Sequence, residues 1–261
     1  MSSGEREPEP FRMVNPAGRA NIVITCDHAS HLVPADLASL GITQADLERH
    51  IGWDIGAADI AKRLAHRLDA KAVLSGVSRL VIDCNRYLDD PSSIPEISDG
   101  TRVPANVELS EGERRSRQDQ WFWPYHHALD DVIGTLVRLG NKPVIVSIHS
   151  MTDRMAGLFR PWHIALSTGP DRRLSDPVLN ALRAKPQLIV GDNEPYALVP
   201  AEDFSTTRHA IAHGLHHVQV EFRQDLVATE GEAIRYADVF ADALIAGLGS
   251  IGRDAAGFDH D

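Results

Sequence analysis

Histidines, carboxylates and arginines crowd the ends of the short apolar runs of this chain. Asp27, His28, Ser30 and His31 follow the run 21–26. His149 and Ser150 close the run 143–148. Glu221 lies within the run 218–222, followed by Arg223, Gln224 and Asp225. Arg79 and Arg86 flank the run 80–84, with Asp83 and Asn85 in the same stretch. Two imidazoles at strand ends with a carboxylate nearby are what a catalytic zinc needs, because such an ion takes three protein ligands and leaves a fourth position for water. The water then reaches a pKa of about 7 and becomes a nucleophile, and a separate carboxylate is wanted to accept and return its proton. Glu221 suits that role, since burial in an apolar strand raises a carboxyl pKa. Thirteen histidines against four tyrosines and four tryptophans strengthen the search for a metal site. There is no H-E-x-x-H, no G-x-S-x-G elbow, no Walker A loop and no dinucleotide fingerprint, which turns the reading away from nucleophile-elbow hydrolases, NTPases and Rossmann enzymes.

The runs that place these residues are short and rich in β-branched residues: 21–26, 72–77, 80–84, 143–149, 163–167, 187–190 and 218–222. Most read as fully buried strands. Helical patterns lie between them at 43–50, 55–68, 110–139, 174–184 and 233–248. The pattern 55–68 puts Ile60, Leu64 and Leu68 on one face. The long one opens with a capping box, Ser110 to Glu113, and breaks near Pro124. Alternating strands and helices predict a three-layer α/β/α sandwich with a mixed, mostly parallel sheet. In such sheets ligands bind at the carboxyl ends of the strands, where the histidines fall. Residues 85–109 hold Pro, Ser and Asp without a clear period, and a loop of that length inside a domain is expected to be functional or a lid. The expected organisation is a flexible tail over 1–19, one domain over 20–249 and a second tail over 250–261.

With 261 residues the chain has room for one α/β domain, and 43% hydrophobic with 24% charged residues excludes a disordered or fibrous chain. The net charge of −11 disfavours nucleic acid and anionic membrane as partners, and an anionic substrate would need a local cationic pocket. No apolar run approaches the roughly 18 residues that span a bilayer, and the first residues carry no apolar signal core. Cys26 and Cys84 both lie in apolar runs, which suits a reducing compartment. A cytoplasmic protein is expected. Its oligomeric state is not legible.

Seven blocks then carry a resemblance: CDHASHLVP (26–34), HIGWDIGA (50–57), SRLVIDCNR (78–86), PYHHAL (124–129), SIHSMTDRMAGLFRPW (147–162), GDNEPY (191–196) and VEFRQDL (220–226). Together, and in this order, they resemble the N-formylglutamate amidohydrolase family over about residues 20–245. The resemblance implies hydrolysis of an N-acyl amide on an amino dicarboxylate, with formate and glutamate as products in the named case and histidine degradation as the setting. It implies a fold similar to the zinc carboxypeptidases, of the phosphorylase/hydrolase-like kind. It implies zinc, or another divalent metal, on His28, His149 and a third ligand, either Asp54 or His31, with Glu221 working on the bound water. An Asp just before Ile55 is equally well placed as a helix N-cap, and His31 equally reads as a surface histidine.

A glutamate-like substrate carries two carboxylates, which arginine recognises with paired hydrogen bonds. Arg79 and Arg86 are the first choices, then Arg160, with Arg223 available for the same task or for an ordinary ion pair. Asn85 either orients a carboxylate or holds a turn. His126 either faces the site from a helix or packs there, and Tyr196 either reaches the site or closes a turn. Three positions depart from the family pattern: Asp27 stands where Glu is expected, and Met151 and Asp153 replace a commoner Phe and Pro. None falls on a proposed ligand. Two alternatives accompany the main reading. One is a hydrolase of a different N-acyl amino acid or small peptide amide. The other is a non-catalytic binder of acidic metabolites.

Overall fold

The computed structural model describes residues 7–252. Its main sheet has seven strands: β1 (Phe11–Val14), β2 (Ile22–Cys26), β3 (Lys71–Ser75), β4 (Val144–Met151), β5 (Ile164–Ser167), β6 (Val190–Asp192) and β7 (His217–Arg223). Their order is β1-β3-β2-β4-β7-β5-β6. Four pairings are parallel, and the two antiparallel ones are β1 with β3 and β7 with β5. The sheet is therefore mixed and mostly parallel.

Every residue of β2, β4 and β7 is buried, as unbroken apolar runs require in a sheet covered on both faces. Helices α1 (Ala57–Arg67), α3 (Ser175–Arg183) and α5 (Glu230–Ile251) cover one face, where Ile22, Ile24, Val146 and Val220 meet Leu64, Leu179 and Phe240. Helices α2 (Trp123–Arg138) and α4 (Phe204–His209) lie on the other, and α2 packs Tyr125, Leu129 and Ile133 against Val23, Val73 and Ile145. The three-layer sandwich follows from this alternation of side chains along each strand.

Three expectations are corrected. Phe11–Val14 is not part of a tail. Its residues pair with Ala72–Ser75 and give the sheet its antiparallel edge. At the other end α5 continues through Ile251, so residues 250 and 251 are helical, and the tail expected beyond 252 lies outside the described residues. The run 80–84 is not a strand. Its carbonyls are taken by side chains instead of a ladder: Leu80 O accepts from Asn106 Nδ2, Val81 O from Arg117 Nη1, and Cys84 O pairs with His126 Nε2. A buried loop is tolerated only when its backbone polar groups are satisfied in this way.

Residues 85–109 are likewise structured, with two 3-10 turns (Pro91–Ser93 and Pro104–Asn106) around a small hairpin of Ile97–Ser98 and Thr101–Arg102. They close a third core around Leu80, Ile82, Ile94, Val103 and Phe122. The expected break in the third helical pattern is a π segment, Gln118–Phe122, after which α2 begins with Pro124 in its first turn, where its missing N–H is harmless. No described helix is long and apolar enough to cross a membrane.

Candidate active site

The carboxyl ends of β2, β4 and β7 open onto a cavity of about 680 Å³, lined among others by His28, Asp54, His149 and Glu221. The parallel register of β7 on β4 sets Glu221 directly beside His149, so both side chains point to the same face. His28 stands just beyond the end of β2. Asp54 comes from the turn ahead of α1. Its backbone N–H donates to His28 O at 2.9 Å, tying the turn to the strand end. Gly56 caps α1 at a φ of +80°, and a Cβ there would run into the Val227 carbonyl, so the turn that presents Asp54 needs glycine.

Asp54 is the third member of the cluster and not a helix cap. Its Oδ2 lies 3.1 Å from His149 Nδ1 and 3.4 Å from His28 Nδ1, and it also accepts from the Ser150 N–H at 3.1 Å. One donor atom from each of His28, Asp54 and His149 falls within 4.8 Å of the others, all three residues being buried. A tetrahedral ion with ligand distances of about 2.0–2.1 Å holds its donors about 3.3 Å apart, so the two contacts to Asp54 already have the span of an ion's coordination edge. His31 is not brought to the cluster. Its ring packs edge-on against Trp53, with centroids 4.7 Å apart.

The electrostatics agree with a cation. Burial pulls the His28 pKa down and Arg79 adds to that pull, yet Asp83 and Asp54 outweigh them and the net direction is up. At His149 burial is likewise overcome, by Asp27, Asp54 and Glu221, and the pKa stands well above the usual histidine value. Asp54, Asp27 and Asp83 move the other way: burial opposes ionisation, but the two imidazoles hold Asp54 and Asp27 ionised, and Arg79 with His28 does the same for Asp83. The cluster thus calls for two positive charges, one on each imidazole, where a divalent ion would supply both. Glu221 is pushed up to about 7, first by burial and then by Asp54, with His149 opposing. That value is suited to a group that takes and returns a proton near neutral pH.

Two carboxylates at this site were missed as functional residues. Asp83 Oδ1 lies 2.8 Å from His28 Nε2, and Asp27 Oδ2 lies 3.4 Å from His149 Nε2. Asp27, one of the departures from the family pattern, therefore does touch a proposed ligand. The available signal was position, since Asp27 adjoins His28 and Asp83 sits between two arginines, but the pairings themselves join distant segments.

The substrate-binding expectations divide. Arg79, Arg86, Asn85, Arg160 and Tyr196 all line the cavity. Arg79 is engaged, its Nε and Nη2 on Asp83 Oδ2 at 3.0 and 2.7 Å and its Nη1 3.6 Å from Asp54 Oδ1. Arg86 donates to Asn85 O, while Arg160 donates to Tyr196 Oη at 2.6 Å and to Thr152 O. Neither meets a carboxylate among the described residues. Asn85 braces the wall, donating to Asp203 Oδ1 and accepting from the Ser205 N–H. Arg223 and His126 do not reach the cavity. Arg223 grips Asp225 with two hydrogen bonds and donates to the carbonyls of Arg160 and Pro161. His126 lies behind the site between Cys84 O and His209.

Among solved structures, the chain is similar to a gene product of Agrobacterium tumefaciens, with 32% identity, a TM-score of 0.88, and 96% of this chain and 98% of that one covered. It also resembles in fold the N-formylglutamate amidohydrolase of Ralstonia eutropha, with 20% identity, a TM-score of 0.60, and coverage of 93% and 97%. No curated protein sequence matches the chain. The model of one family, N-formylglutamate amidohydrolase, matches residues 20–228, a span that holds the cluster, the cavity's arginines and Glu221. With site and match covering the same stretch, the chain belongs to the N-formylglutamate amidohydrolase family, whose members hydrolyse a C–N amide bond.

Proposed function

We propose that this protein is a metal-dependent amidohydrolase that cleaves the N-acyl amide of an acidic amino acid, with N-formyl-L-glutamate the leading substrate. The observation that carries the reading is the convergence of His28, Asp54 and His149 beside Glu221 at one end of the sheet. His28 and His149 would hold the ion through Nδ1 and Asp54 through Oδ2, the atoms that already face one another. Zinc suits two imidazoles and one carboxylate, and when bound it supplies Lewis acidity to the scissile carbonyl and to the attacking water.

The chain's own groups do the rest. Arg86 and Arg160, without carboxylate partners among the described residues, bind the two substrate carboxylates and set the amide in front of the cluster. The Tyr196 hydroxyl and ring hold the Arg160 guanidinium, which lies 4.9 Å from the ring centroid. Glu221, ionised as substrate arrives, accepts the proton of the attacking water and passes it to the leaving amine.

The test is formate release by zinc-loaded protein from N-formyl-L-glutamate, with N-formyl-L-leucine as control. Turnover that needs the side-chain carboxylate and disappears on chelation is expected. Failure to hydrolyse any N-acyl glutamate or aspartate would overturn the reading. Arg86→Ala and Arg160→Ala should each raise KM by about 10- to 100-fold with a smaller change in kcat, as loss of a charged hydrogen bond implies.

A second reading concerns the acyl group. The cavity is about 680 Å³, more than so small a substrate fills, and its wall includes Ile97, Met155 and Tyr196. A larger acyl chain would use that apolar wall. A series of N-acyl-L-glutamates from formyl upward separates the two, and a rise in kcat/KM with chain length favours the second.

A further inference from the structure

His28 and His149 each meet a carboxylate on the ring nitrogen that faces away from Asp54. Asp83 Oδ1 lies 2.8 Å from His28 Nε2, whereas His149 Nε2 has the Ser147 hydroxyl at 3.0 Å and Asp27 Oδ2 at 3.4 Å, and both carboxylates are almost fully buried. What holds each carboxylate differs. Asp83 Oδ2 accepts two N–H groups of Arg79, which is always charged and can never accept. Asp83 Oδ1 also accepts the Asn85 backbone N–H at 2.8 Å. Asp27 Oδ1 instead accepts the hydroxyls of Tyr125 and Ser205, each at 2.7 Å, and a hydroxyl can rotate and accept in turn.

We propose that Asp83 is a positioning residue that fixes the proton of His28 on Nε2 and so turns its Nδ1 lone pair toward Asp54, held to that task by Arg79, whereas at His149 Nε2 the Ser147 hydroxyl at 3.0 Å is the nearer partner and Asp27 a looser one. The proposal rests on reading His28, Asp54 and His149 as metal ligands. An ionised carboxylate only accepts, so the ring nitrogen facing it carries the hydrogen, and the other nitrogen of a neutral imidazole is bare. Only a bare nitrogen ligates, and a partner that settles which one is bare raises metal affinity.

Arg79 makes the isosteric amide at 83 behave differently from the one at 27. In Asp83→Asn the two charged guanidinium N–H groups outweigh the single Asn85 backbone N–H and draw the amide oxygen to their own side. The NH2 group then faces His28 Nε2, which must accept, and the imidazole proton moves to Nδ1, where the ion must bind. In Asp27→Asn the two hydroxyls accept from the NH2 group, the Ser205 hydroxyl turning to Cys84 O, which lies 3.2 Å away. The amide oxygen stays on the His149 side, the Ser147 hydroxyl still accepts from Nε2, and the tautomer survives.

The experiment is competition titration of Zn2+ alone against the full chain, with thermal melting of each metal-free variant to confirm folding. Asp83→Asn is expected to weaken zinc binding by about 10- to 100-fold. Asp27→Asn is expected to change it by less than about twofold, the scatter of independent sites. In an Arg79→Met background the Asp83→Asn step should also fall below about twofold, because the amide oxygen is then free to turn to His28 and the Asn85 N–H. Equal losses in both backgrounds would show that Asp83 acts by charge alone and would overturn the proposal. So would an Asp83→Asn protein that binds zinc like the wild type. Should Asp83→Asn not fold, 15N spectra of the zinc-loaded wild type decide. Metal on Nδ1 with Nε2–H is expected in the His28 ring, and metal on its Nε2 overturns the proposal. A wild type that binds no zinc at all defeats the metal reading itself, an outcome distinct from all of these.

Discussion

His28 and His149 stand with ring centroids 5.2 Å apart, and so do His126 and His209. Both pairs are buried. Their surroundings differ, although His209 Nδ1 of the second pair also lies 3.3 Å from Asp130 Oδ1. The first pair is ringed by Asp27, Asp54 and Asp83, and both of its pKa values are raised. In the second pair His126 Nδ1 meets His209 Nε2 at 2.9 Å, and the His126 ring lies against Phe122, Tyr125 and Phe204. There burial, with His209 adding to it, drives the His126 pKa down to about 3. The first pair is built to hold positive charge, and His126 of the second to stay neutral. Proximity of two imidazoles therefore says little about metal binding; the carboxylates around them decide it.

The largest difference should appear on truncation. His28→Ala is expected to weaken zinc binding by more than about a hundredfold, while His126→Ala keeps the ion and loses roughly 2–4 kcal/mol of stability by opening a cavity behind the sheet. Calorimetric titration with denaturant melts reads both, and a zinc affinity unchanged by His28→Ala would erase the distinction. Glu221→Gln should retain zinc and lower kcat by roughly 10²- to 10⁴-fold, and turnover near the wild-type rate would remove it as the proton carrier.

The two pairs should also answer pH in different observables and different windows. At the front, zinc must displace protons held by His28 and His149. Zinc affinity should rise from pH 6 to 8, with up to about two protons released per ion, measured by titration in buffers of different ionisation enthalpy. At the rear, the folded His126 pKa of about 3 lies below the unfolded value of about 6.5. Its contribution to stability is complete above about pH 6.5 and is lost as pH falls toward 3, because the unfolded chain then binds the extra proton. Urea midpoints should fall between pH 7 and 4, and fall less in His126→Gln. This is the smallest of the effects, at most about 1.4 kcal/mol per pH unit, and equal slopes would show that His126 is not the group responsible.

Much of this was legible from local pattern. The apolar runs that became β2, β4 and β7 are buried on both faces, so their hydrophobicity is continuous and easy to read. His28, His149 and Glu221 were found because they sit where such runs end, or inside one. The run 80–84 misled for the same reason. Burial made it apolar, but Asn106, Arg117 and His126 satisfy its backbone from other segments, and no periodicity carries that information. The edge strand Phe11–Val14 was hidden by its short length and partly exposed burial pattern.

The strand cores, the two strand-end imidazoles and the acid inside β7 belong to the chain's local chemistry, in which apolar periodicity alone dictates what is buried and where a strand stops. The partners of those imidazoles do not. Asp54 reaches His28 across 26 residues and His149 across 95, and Asp83 reaches His28 across 55. Folding also sorted the arginines, committing Arg79 to Asp83 and Arg223 to Asp225 and leaving Arg86 and Arg160 at the cavity wall without carboxylate partners among the described residues. Which charges meet is set by how strands and loops are packed in space, because an ion pair is decided by distance through the fold and not by spacing along the chain.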